Sequence, residues 1–462
     1  MKSEKKSPSL ALSVCALLTI IVFVAVGYLT VKANFTVMLF ACWLIMAAFT
    51  LPLGYRFSEI EGFAYKGAKN GVGPAAIIIA VGILIASFMA AGTVPTILAL
   101  GLKVINPVIF LPLTFILCIA TSLITGTSWG TIGTMGVAMI GVGTTLGVNP
   151  GMTAGAIISG AYFGDKMSPV SDSTILSSTL CGVELWDHIR NEAYTTIPGA
   201  VIALVLYTVI GFTTGKGSYD PEYVNQVVSA LGSVFKLDII ALLPIIVVLV
   251  LICMKKSTIG AILIGAVVAF FIAVLHQGYS VAEVCSFLNS GFKCGSEDAF
   301  LKGILNRGGI SSMMSLVGLI IVALGLGGII GETGILTPIF AFVSDRIRTA
   351  KGLLVTLWVL VWICVILVPT YNFAFVILST LFVPLLDKYG LSSKNVSRIL
   401  EDVGTLGGNL FPWGVGAVYA TGVLGVPTVQ SAPFNFLCYI VPVISLVYIL
   451  TGFRTIKSAE AK

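Results

Sequence analysis

The stretch SGAYFGDKMSPVSDST, residues 159–174, puts Asp165, Lys166, Pro169 and Asp172 among a run of hydroxyls inside a chain that is otherwise oily. Pro169 has no N–H to donate and interrupts a helical ladder, while Gly164 and Ser168 loosen the turn before it. A helix that enters this stretch is therefore expected to break. In hydrocarbon, backbone freed by a break is tolerated only where protein or a water-filled cavity covers it. The carbonyls freed at such a break are ready ligands for a cation.

Composition says that the surroundings are hydrocarbon. Of 462 residues, 57% are hydrophobic and 10% charged, against about 25% charged in soluble domains, and the mean hydropathy is +1.05. The expected fold class is an all-α polytopic membrane protein. Crossings read at 9–31, 35–54, 72–91, 150–182, 194–214, 237–254, 258–276, 310–335, 398–424 and 433–453, since each run can span about 30 Å of hydrocarbon. The run 9–30 follows MKSEKK, exceeds the length of a signal-peptide core and lacks a cleavage site, so it reads as a retained helix.

With the N-terminus inside, 18 of the 26 basic residues fall on the cytoplasmic side. That count takes in Lys2, Lys255 and Lys462 and leaves Lys216 outside. The asymmetry supports both termini being cytoplasmic. It also accounts for the net charge of +6 without nucleic acid.

Two segments, 106–147 and 352–389, are too long for one crossing and are interrupted midway by TGTSWGT (125–131) and VPTYNFAF (368–375). Each reads as a re-entrant hairpin whose tip lines a site, with two full spans joined by a short loop as the competing reading. Each is followed by a broken helix, over 150–182 and 398–424 respectively. A shift of 243 residues, without a gap, superimposes Pro95 on Pro338, Thr127 on Thr370, Gly164 on Gly407 and Pro169 on Pro412. The chain thus divides into N-terminal helices (1–71), a first repeat (72–214), linking helices and loops (215–309) and a second repeat (310–462). Five crossings separate the starts of the two repeats, so the copies point opposite ways. Inverted repeats of this kind place ion sites near the midplane, where broken helices meet.

Asp165 is the strongest candidate for ion binding. An aspartate at membrane depth costs about 2.5–3.5 kcal/mol on insertion scales and calls for a partner or a hydrated cavity. Burial disfavours its charged form and a cation favours it, so a proton and Na⁺ compete for one carboxylate. An ion pair with the adjacent Lys166 is the competing structural reading. Asp172 is a second candidate, with helix capping as its alternative. Ser168 joins these two, and Thr127, Ser128, Ser171, Thr174, Thr370, Asn372 and Asn409 are candidates for the oxygen shell.

Glu332, Glu401 and Asp402 are secondary acidic candidates. Glu401 and Asp402 are expected mainly in a salt-bridge cluster with Lys394 and Arg398 at the cytoplasmic edge. His188 and His276 fall at loop edges and read as surface residues rather than pH sensors, although WDHIRNEAYTTIP puts His188 near the cytoplasmic mouth, where protons would be sensed. Cys285 and Cys294 share a loop and are weighed as a disulfide; most of the remaining cysteines lie in apolar segments, where packing is expected. There is no GxxxxGK[ST] motif and no nucleophile with its base, so neither ATP-driven transport nor an enzyme is expected.

GAYFGDKMSPVSDST, WDHIRNEAYTTIP (186–198) and KNVSRILEDVGTLGGNLFPWGVGAVYATGVLGVPT (394–428) resemble the signature runs of the NhaC family of sodium/proton antiporters. The resemblance implies exchange of external H⁺ for internal Na⁺, with no cofactor, and hairpin tips and broken helices as the transport core. The family includes exchangers resembling malate/lactate antiporters, so a small carboxylate or an amino acid is an alternative substrate, with Ser128, Thr370 and Asn372 as its holders. The expected partners are the lipid bilayer, Na⁺ and H⁺, with a carboxylate solute and a second copy of the chain as further candidates.

Overall fold

The computed structural model describes residues 5–104, 106–214, 221–254, 256–296 and 299–458. Lys2, Lys216, Lys255 and Lys462, and the boundary expected at residue 215, lie outside them. The described chain is helical. Its order begins α1 (Leu10–Val31), α2 (Phe35–Thr50), α3 (Phe57–Lys69), α4 (Val72–Ala90), α5 (Thr93–Val104), α6 (Pro107–Thr125), α7 (Ser128–Thr131) and α8 (Val137–Thr145). It continues with α9 (Pro150–Met167), α10 (Asp172–Leu180), α11 (Leu185–Thr214), α12 (Pro221–Val234), α13 (Ile239–Cys253), α14 (Thr258–Ile272), α15 (Val281–Ser290) and α16 (Ala299–Leu305). It ends with α17 (Ile310–Glu332), α18 (Thr337–Ser344), α19 (Ala350–Leu367), α20 (Tyr371–Phe382), α21 (Lys394–Ile399), α22 (Val415–Leu424), α23 (Thr428–Ser431) and α24 (Phe436–Thr451). All nine cysteines are free, so Cys285 and Cys294 are not paired.

Among the described residues, eight helices are long and apolar enough to cross a membrane, and two bent pairs bring the number to ten. The bent pairs are Asn225–Val234 with Ile239–Cys253, at 89°, and Thr428–Phe434 with Phe436–Thr451, at 52°. The eight include the hairpin arms α6 and α19. α11 is one helix of 30 residues that begins at Leu185, nine residues before the crossing expected at 194. The run WDHIRNE thus belongs to a helix and not to a loop.

Both hairpins and both breaks are present. α6 stops at Gly126, whose φ of +71° favours glycine, and α7 starts at once with Thr127 as its cap. Further along the return arm, Gly143 meets both Phe110 of α6 and Thr153 of α9, so the chain has folded back on itself. In the second hairpin the Tyr389 hydroxyl donates to the Ile347 carbonyl and ties the end of the return arm to the start of α19. The helix boundaries repeat at the offset of 243 read from sequence: Pro107 and Ala350, Ser128 and Tyr371, Asp172 and Val415, Leu185 and Thr428.

The two copies run in opposite directions. α9 begins with Gly151 against the Gln430 carbonyl and ends with Lys166 paired to Asp402. The second broken helix begins with the Lys394 carbonyl bonded to Asn191 and ends with the Asn409 carbonyl bonded to Asn435. Asn435 adjoins Phe434, which packs on Gly155 near the start of α9.

Small residues bring α6 and α9 into backbone contact. A Cβ on Gly164 would lie 2.4 Å from the Leu123 nitrogen, where no side chain can yield. Gly164→Ala is therefore expected to destabilise the protein by about 1–3 kcal/mol, as overpacking does. The check is the melting temperature of the purified protein in detergent, with Gly73→Ala as the control because nothing lies within 4 Å of a Cβ there.

Candidate functional site

The first break holds Asp165 on the last turn of α9. Its Oδ2 accepts a hydrogen bond from the Ser128 hydroxyl at the hairpin tip (2.6 Å), and its Oδ1 accepts one from Ser171 in the break (2.6 Å). Three elements thus converge on one carboxylate. Ser171 is also 3.2 Å from Ser173. Thr174 donates to the carbonyls of Asp165 and Lys166, at 3.2 and 3.1 Å, and so caps carbonyls that the break frees. Ser168 is buried and its hydroxyl meets the Leu123 carbonyl at 3.4 Å. The hairpin tip is therefore level with the break.

Asp165 opens onto a cavity of about 690 Å³ that Thr127, Ser128, Asp172, Lys256 and Tyr371 also line. Asp172 is exposed there as the first residue of α10, where a carboxylate suits the positive end of the helix. Thr127 caps α7 by accepting from the Gly130 N–H. Thr370, Asn372 and Asn409 line a smaller cavity of about 160 Å³, which shares Trp129, Tyr162 and Tyr371 with the larger one. Asn409 donates to the Thr405 and Leu406 carbonyls of its own broken helix. Glu332 pairs with Lys66 at 2.6 Å, is about a third exposed and lines neither of these cavities; it borders a third, of about 560 Å³, together with Thr370 and Asn372.

Lys166 does not pair with Asp165. It turns to the other face of α9, where its ammonium lies 2.9 Å from Glu192 and 2.9 Å from Asp402, all three fully buried. Adjacent residues point to different helix faces, which is why the neighbour in sequence is not the partner.

The cluster expected at the cytoplasmic edge is thereby corrected. Asp402 lies 3.9 Å from Arg398, but Lys394 pairs with Asp187, and Glu401 is held by hydroxyls of Ser177 (3.2 Å) and Thr405. Glu401, Asp402 and Arg398 are all interior. His188 is also corrected: it is fully buried, 2.9 Å from Ser177 and 3.0 Å from Ser397. His276 is partly exposed and bonds Asp238 at 2.7 Å.

The sequence reading gave Glu192 no role and set His188 at the surface. Their signal was a spacing of four on one helix within WDHIRNE, which puts both on one face. Its partners lie 26 residues away at Lys166, 11 at Ser177 and 209 at Ser397, and spacing along the chain reveals none of them.

A polytopic helical protein with an inverted repeat, two broken helices and a pair of aspartates at one break is a secondary transporter. The chain belongs to the Na⁺/H⁺ antiporter family, whose model matches residues 4–190 and 160–453. Its relatives include the malate-2H(+)/Na(+)-lactate antiporter of Bacillus subtilis, 36% identical over 440 residues and 94% of each chain. The Na(+)/H(+) antiporter NhaC of Alkalihalophilus pseudofirmus is 35% identical over 89% of this chain and 88% of its own. The arginine/ornithine antiporter ArcD of Halobacterium salinarum is 31% identical over 97% of this chain and 93% of its own. The protein is thus a multi-pass bacterial membrane transporter and not an enzyme.

Proposed function

We propose that this chain exchanges external H⁺ for internal Na⁺, with Asp165 as the carboxylate that the two ions occupy in turn. The observation that carries the reading is the convergence of Ser128 and Ser171 on Asp165 beside a polar cavity. When Na⁺ replaces the proton, those hydroxyls turn their oxygen lone pairs to the ion and complete a hard-oxygen shell. Thr127, Ser168 and backbone carbonyls of the break supply further oxygens. Asp172, at the cavity wall, attracts the cation into the cavity. Both termini lie in the cytoplasm, in keeping with the distribution of basic residues.

A second reading is supported by the size of the cavity. About 690 Å³ is far more than an ion needs and falls in the range of small-molecule sites, about 300–1,000 Å³. Lys256 on its wall offers a cation to a carboxylate solute, and two relatives carry organic solutes in their names. On this reading Thr370 and Asn372 hold the solute in the adjoining cavity, while Asp165 keeps the ion.

Everted vesicles with a pH-sensitive dye separate the two. Collapse of the pH gradient on addition of sodium alone is the expected result for ion exchange. A response that waits for malate, lactate or an amino acid establishes the second reading and ends the first.

A further inference from the structure

The interior holds a second polar centre that the Asp165 site does not use. Lys166, His188, Glu192, Arg398, Glu401 and Asp402 come from α9, α11 and the second broken helix, and all are buried. Glu401 and Asp402 sit in a π-helical turn, Leu400–Thr405, a local widening that recurs at functional sites. Three carboxylates face two cationic side chains, and the Glu192 Oε2 has no hydrogen-bond partner among the described residues. A buried acceptor without a donor is unfavourable, and one bound proton would close the charge count.

The Glu401 Oε1 is joined to a continuous chain of exchangeable groups. Ser177 Oγ lies 3.2 Å from it and 2.9 Å from His188 Nε2, and His188 Nδ1 lies 3.0 Å from Ser397 Oγ. Ser397 in turn donates to the Lys394 carbonyl, in the first turn of α21, and the Lys394 ammonium meets Asp187 at the partly exposed rim.

We propose that Glu401 is a second proton-carrying site of the exchange cycle, served by the chain Ser397–His188–Ser177. The inference rests on the antiport reading above. A proton reaching Ser397 passes to His188 Nδ1 as the Nε2 proton leaves for Ser177, and the proton of Ser177 moves to Glu401. Each hydroxyl gains one proton and loses one. Only the tautomer of His188 and the protonation of Glu401 change, and the reverse sequence releases the proton.

The groups facing Glu401 are Lys166 and Asp165 from α9, His188 and Glu192 from α11 and Tyr371 from α20, with Asp402 next to it in the chain. A metal ion is the competing occupant, because ligand atoms of His188, Glu192 and Glu401 lie within 4.8 Å of one another. The Lys166 ammonium, 2.9 Å from Glu192, already takes that carboxylate and repels a second cation.

The test is infrared difference spectroscopy of the purified protein in nanodiscs, stepping pH without sodium and reading the carboxylic acid C=O band. Two bands should titrate, one lost in Glu401→Gln and the other in Asp165→Asn. Ser177→Ala keeps every carboxylate. It should keep both bands but slow the Glu401 band after a pH jump by at least about 10²-fold, the low end for losing a positioned proton-transfer group. A full set of bands in Glu401→Gln, or a Glu401 band that does not move with pH, overturns the proposal. So do unchanged pH-jump kinetics in Ser177→Ala, which carries the test alone if Glu401→Gln fails to insert. Loss of the Glu401 band in Glu401→Gln, together with no sodium-driven proton movement in the unmutated protein, sinks the antiport reading and leaves this titration standing.

Discussion

Asp165→Asn is expected to abolish sodium-driven proton movement in reconstituted vesicles while the protein still inserts and purifies. The amide is nearly isosteric and still accepts a hydrogen bond from Ser128 or Ser171, so the convergence of hairpin tip and break is kept. The charge is not. An interaction with a charged group contributes about 1.5–3 kcal/mol, so sodium affinity should fall by about 10- to 100-fold. Proton exchange at this position should vanish altogether, because an amide does not titrate. Calorimetric titration with NaCl reads the first effect, and the dye assay reads the second. Wild-type exchange in Asp165→Asn would remove this residue from the mechanism.

The second large effect concerns folding. Lys166→Met leaves Glu192 and Asp402 without the ammonium that lies 2.9 Å from each. Breaking a buried ion pair by removing one partner costs about 3–5 kcal/mol, because the surviving charge stays buried. Against a total stability of about 5–15 kcal/mol, that is a large share. The variant should therefore show a sharply reduced membrane yield and a lowered melting temperature. The triple variant with Glu192→Gln and Asp402→Asn removes the stranded charges and should recover most of the loss, since neutral replacement of a whole buried cluster is often tolerated. Wild-type melting of Lys166→Met would show that the ammonium is not what neutralises the two acids.

Much of the architecture was legible in sequence because it rests on local physics. Apolar run length located the spans, and Pro169 with Gly164 located the break. The offset of 243 between two sets of such signals located the inverted repeat, which the helix boundaries at Asp172 and Val415 reproduce. The candidate site was legible in part. Asp165 and Ser128 were named from polarity within an apolar chain, and the structure brings them to 2.6 Å. Asn372 and Glu332 carried the same signal, but neither lines the cavity of Asp165.

The buried cluster was misread for a physical reason. Lys394, Arg398, Glu401 and Asp402 follow one another closely, and charges close in sequence near a span end usually face water. Here the π-helical turn at Leu400–Thr405 and the face of α11 carrying His188 and Glu192 enclose Arg398, Glu401 and Asp402, while Lys394 stays at the rim with Asp187. By itself the sequence determined that this chain crosses the membrane repeatedly, breaks at Pro169 and carries two aspartates at that break. Only the tertiary structure decided that Lys166 serves Glu192 and Asp402 and not Asp165. Hydropathy and helix breaking depend on neighbours within a turn or two, whereas the partner of a buried charge depends on which helix faces it, and that is set by packing across the whole bundle.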